Sequence, residues 1–143
     1  MIINISAEKD KNSNLQWKIP ILYFNQSINY KVCVHLVHTI LAQSTVKLLE
    51  NNDLLHLTTN LIDQSSRNQD SSIVFLNYKL LYGQRQTWRI QAPIYIPLQL
   101  FELENSSFTL KHVFGEKELL FEKIFIQLEI LREDSHARIL KVN

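Results

Sequence analysis

From Trp88 to Leu100 every even position is apolar: Trp88, Ile90, Ala92, Ile94, Ile96, Leu98 and Leu100. The odd positions carry Arg89, Gln91, Pro93, Tyr95, Pro97 and Gln99. A period of two held this long predicts one long β-strand with a single buried face. The same alternation recurs in Ile3 and Ile5, in Leu15 to Tyr23 on odd positions, and in Ile28 to Leu36 on even ones. It returns in Leu55 to Leu61, Phe108 to Phe114 and Ile124 to Ile130, while Ile73 to Leu81, rich in Val, Phe, Tyr and Leu, reads as a buried strand. About eight strands at this spacing predict an all-β chain, a sandwich or barrel. The segment Val37–Glu50 fits either a strand end with a short strand or one or two helical turns, and Asp63–Ser72 reads as a loop.

Shared parity within each strand predicts a sandwich interior of Trp17, Ile19, Ile21, Val32, Val34, Leu36, Ile90, Ile94, Ile96, Leu110, Ile126 and Leu128. On that expectation Ile94→Asp buries an unpaired charge and unfolds the domain. Pro93 and Pro97 share parity, so both remove donors from one edge of their strand. That edge is expected to lack regular pairing over residues 93–97.

The chain has 143 residues, 45% of them apolar and 20% charged. That predicts one globular domain over 1–143, burying roughly two-thirds of its unfolded surface. A net charge of +1 supplies no field to attract nucleic acid or an anionic membrane. The two glycines, Gly83 and Gly115, leave no phosphate loop, dinucleotide fingerprint or nucleophile elbow, and the turns must use Asn, Asp and Ser. Cys33 is the only cysteine, which suits a reducing compartment. The opening residues lack a signal-peptide pattern, and no apolar run approaches the ~20 residues of a membrane span. The expectation is a cytosolic or nuclear origin, without secretion.

Few residues suggest chemistry. On a regular strand His35 and His38 face opposite ways, and His56 and His112 could meet only by tertiary folding. Cys33 reads as a buried thiol with nothing nearby to lower its pKa. The acidic pairs Glu102/Glu104 and Glu116/Glu118 flank turn-like sequence and read as solvated strand ends. Trp17 and Trp88 fall on apolar parity and belong to the core. Tyr95 falls on the polar parity, so Tyr95, Gln91 and Gln99 are the candidate contact residues. No catalytic residue, metal site or cofactor is expected.

A short strand, a polar Asn/Ser stretch, Trp17-Lys-Ile-Pro-Ile21, and then Tyr30-Lys-Val-Cys-Val-His-Leu36 follow one another in the first third. This order resembles the opening of small jelly-roll structural proteins of Polinton, adintovirus and virophage-type elements. The Phe108-Thr-Leu-Lys-His112 strand and a closing Ile/Leu strand are compatible with it. Ile21 stands where a second proline would be expected, and Cys33-Val34 stands in place of Ala-Leu. The resemblance implies a single antiparallel, jelly-roll-like β-sandwich and a non-enzymatic virion structural protein. Its partners would be copies of itself in a homo-oligomer, or other capsid subunits. The competing expectation is an intracellular β-sandwich module that binds a peptide or small ligand.

Overall fold

The computed structural model describes residues 1–62, 71–115 and 117–133. Of the sequence features above, most of the Asp63–Ser72 loop and Glu116 lie outside these residues. Among the described residues nine strands form: β1 (Ile2–Lys9), β2 (Leu15–Lys18), β3 (Tyr30–Leu41), β4 (Leu54–Thr59), β5 (Ser71–Asn77), β6 (Arg85–Arg89), β7 (Ile96–Pro97), β8 (Phe108–His112) and β9 (Phe121–Arg132). The ambiguous segment resolves into both of its alternatives. β3 runs on to Leu41, and a single helical turn, α1 (Gln43–Val46), follows it.

The strands make two antiparallel sheets. One has the order β2-β1-β9-β3-β6, with β7 also on β3, and the other has the order β5-β4-β8. The pairing is nested: β4 with β5, outside it β3 with β6, and outside that β1 with β9. This is the order of a long hairpin rolled up on itself, as a jelly-roll-like sandwich requires. It places β9 at the centre of the larger sheet, with Ile126 opposite Ile5 on one side and Val37 on the other.

Alternation decides which face is buried. In β9, Ile124, Ile126 and Leu128 are fully buried while Phe125, Gln127 and Glu129 are not. In the smaller sheet Leu55, Leu57 and Leu110 have no exposure, and they join residues of the larger sheet in one core cluster. Each such side chain contributes about 1.5–3 kcal/mol by leaving water. Trp17 closes one end of this core, stacking on Phe108 of the opposite sheet at 6.2 Å and meeting Phe121 edge-on.

The turns use the residues that glycine scarcity left. Ser13 (φ 62) and Asn52 (φ 69) take the left-handed conformation alongside Gly83 (φ 58). Asp10 organises the β1–β2 turn, its Oδ1 accepting the backbone N–H groups of Asn12 at 2.8 Å and Asn14 at 2.9 Å.

Three parity expectations fail, each at an identifiable break. Ile21 was expected inside and is 69% exposed. Regular pairing of β2 stops at Lys18, Pro20 has no N–H to extend it, and beyond the proline Leu22 and Phe24 pack on the core instead. Leu36 was expected inside, but the register shifts between Val34 and Leu36 with His35 as the extra residue. Leu36 therefore pairs with Gln127 on the outer face and is half-buried, while Val37 and Thr39 turn inward. Ile94 was expected inside and is 73% exposed. The long strand breaks after Arg89, bends at Gln91 and Ala92, and resumes only as β7, so Ile94→Asp places its charge in water. Trp17, Ile19, Ile90 and Ile96 are half-buried against the core, while Val32, Val34, Leu110, Ile126 and Leu128 lie within it.

The proline expectation holds. Ile96 and Pro97 pair with Val32 and Lys31 along one edge. Their other edge has no ladder partner among the described residues.

Candidate functional site

On the outer face of the larger sheet, β3 and β9 bring together residues far apart in sequence. Cys33 of β3 lies in register with Glu129 of β9. His35 stands two residues beyond Cys33, at the bulge, and its Nε2 is 2.8 Å from Glu129 Oε1 and 3.6 Å from Cys33 Sγ. Tyr95, in the segment leading into β7, reaches across β3 and donates its phenolic O–H to Glu129 Oε1 at 2.7 Å. This crossing helps to cover Cys33, which is fully buried although it points away from the core.

The electrostatics follow from that geometry. The His35 contact, then the Tyr95 hydroxyl, hold the Glu129 carboxyl below its ordinary pKa. Burial pushes the Cys33 thiol up. The bond to Glu129 pushes the Tyr95 phenol well above its ordinary value, so Tyr95 stays a proton donor. Cys33 and Glu129 both approach the same nitrogen of His35. A nucleophile–base–orienter triad needs the thiol on one ring nitrogen and the acid on the other, so this group does not have that arrangement. It does place one sulfur, one nitrogen and one carboxylate oxygen within 4.8 Å of one another.

Of the sequence-derived contact residues, Tyr95 is thus engaged in the cluster and 37% exposed, while Gln91 and Gln99 are exposed on either side of it along the chain. Burial of Cys33 was legible in the sequence; its partnership with His35 was missed. The available signal was the Cys33-x-His35 spacing, which puts both side chains on one strand face. The bulge also leaves His38 on that outer face, where Nδ1 meets Thr87 Oγ1 at 2.7 Å, so the opposite-face expectation for His35 and His38 is corrected.

The other candidates separate. His56 and His112 lie on adjacent strands, but His56 stacks on Phe75 and bonds Ser72, while His112 Nε2 is 3.6 Å from Asp53 Oδ2. Glu104 accepts from the Tyr23 hydroxyl at 2.7 Å, and Glu102 accepts from Asn105. Trp88 is half-buried and donates its indole N–H to the Asn77 carbonyl.

A second surface lies where β5 faces the broken strand. Val34, Ile73, Phe75, Ile90, Ile94 and Ile96 line a groove of about 270 Å³, with Phe75 58% and Ile94 73% exposed beside it. Both elements sit at the edges of their sheets.

Compared with family models, curated proteins and solved structures, the chain matches none.

Proposed function

We propose that this chain is a non-enzymatic structural subunit of a virion-type shell, acting within a virion or host cell and assembling with copies of itself. The observation that carries the reading is the apolar groove between β5 and Ile90–Ile96, flanked by the exposed Ile94 and Phe75. Exposed apolar side chains beside open sheet edges favour a protein partner. Pro93 and Pro97 discourage open-ended strand addition there, so contact falls to side chains, including Gln91, Gln99 and the accessible part of Tyr95. The nested strand order and the Trp17–Leu36 resemblance to small jelly-roll capsid proteins support the same assignment.

The same groove favours one second reading, a module that takes a short apolar peptide or small ligand. Static light scattering over a range of protein concentrations tests the first reading. A defined symmetric oligomer supports it; a monomer at every concentration contradicts it and leaves the binding module.

A further inference from the structure

We propose that Cys33, His35 and Glu129 form a binding site for one zinc-like divalent transition-metal ion, independent of any role in assembly. The donor set is thiolate sulfur, imidazole nitrogen and carboxylate oxygen, the three protein ligand types that zinc takes. The geometry is already close to what the ion needs. A tetrahedral ion bound at ordinary zinc–ligand lengths separates its sulfur and nitrogen donors by about 3.5 Å. Cys33 Sγ and His35 Nε2 stand 3.6 Å apart. The nitrogen and oxygen are at direct hydrogen-bond distance, 2.8 Å, and must open by about half an ångström to admit an ion between them.

The surroundings suit a partly open site. Cys33 is fully buried, while the His35 and Glu129 side chains keep 30% and 23% exposure, so an ion has a path in from solvent. Cys33 pairs with Glu129 across β3 and β9, and the His35 carbonyl accepts the Ile90 backbone N–H at 2.9 Å, which fixes the backbone of the three ligands. Tyr95 orients the Glu129 carboxylate from outside, the second-layer contact that metal-bound carboxylates commonly have. Three protein ligands leave the fourth position to water. Binding converts the Cys33 thiol to a thiolate and releases its proton to solvent, and the Nε2 proton that His35 directs at Glu129 shifts to Nδ1, so that the neutral ring offers Nε2 to the ion.

The test uses the full chain, stripped by chelator and titrated with zinc by calorimetry and with cobalt by absorption spectroscopy. The expected result is one ion per chain, with a sulfur-to-cobalt charge-transfer band and the visible bands of tetrahedral cobalt. His35→Gln and Glu129→Gln should each weaken binding at least about tenfold. Cys33→Ser should abolish the charge-transfer band. Because Cys33 is fully buried, its variant is read only if it melts cooperatively; the two partly exposed positions, His35 and Glu129, decide the matter otherwise. No saturable binding, binding unchanged in both His35→Gln and Glu129→Gln, or a cobalt spectrum without the thiolate band would each overturn the proposal.

Discussion

Ile126 and Ile94 are both isoleucines at apolar-parity positions, and the fold gives them opposite consequences. Ile126 has no exposure and sits on the central strand between Ile5 and Val37. Ile126→Ala removes three carbons from a site walled on both sides by paired strands, where collapse around the gap is restricted. The cost for such a change is about 2–5 kcal/mol, and the restriction argues for the middle of that range, about 3–4 kcal/mol. For a domain of this length each kcal/mol moves the midpoint by roughly 3–4 °C, so melting should fall by about 10–15 °C. Ile94 is 73% exposed, and Ile94→Asp should change stability by about 0.5 kcal/mol or less. Urea unfolding followed by circular dichroism measures both. A loss below about 1 kcal/mol for Ile126→Ala, or unfolding by Ile94→Asp, would refute the face assignment. The second variant also probes the proposed assembly, which a charge at the groove should abolish while the subunit stays folded.

Further outcomes follow from single residues. Thr39 is fully buried and its Oγ1 has no hydrogen-bond partner among the described residues, so Thr39→Val should raise stability by about 1 kcal/mol in the same unfolding assay. Replacing Tyr95 by Ala uncovers Cys33, and a thiol reagent under native conditions should label that variant at least about tenfold faster than Tyr95→Phe or wild type. His38 and His56 both titrate below the ordinary 6.5, each first through burial, with Lys123 and Arg85 adding to His38 and Lys111 and His112 adding to His56. The folded chain therefore binds fewer protons there than the unfolded one, so stability is full above about pH 6.5 and declines as pH falls through the lower folded values. Melting at pH 7.5 and 5.5 should show that decline, and the double variant His38→Gln/His56→Gln should reduce it. Ser13→Gly relieves a left-handed serine and should stabilise by up to about 1 kcal/mol; a loss would mean the turn is held by the side chain instead.

Period-two patterning was a reliable guide wherever a strand runs unbroken, as in β9, where Ile124, Ile126 and Leu128 are buried as their spacing requires. It failed at Pro20, at the His35 bulge and at the Gln91–Pro93 bend, because one unpaired or extra residue rotates everything beyond it to the other face. The bend is the least legible of these, since the apolar residues keep their even spacing through it. The candidate cluster was half visible: Cys33 and His35 share a face by spacing, but Glu129 lies 94 residues from His35 and meets it only because β9 inserts between β1 and β3. No local signal specifies that insertion.

The rolled-up order with β9 between β1 and β3 sets the sheet and underlies the proposed metal site. Nuclear Overhauser contacts between backbone protons across the pairs Ile5–Ile126 and Val37–Ile126 test it most directly. The account predicts both sets in one species, with Ile126 contacted from either side. Contacts on one side only, or a β9 paired with β4 or β8, would contradict it.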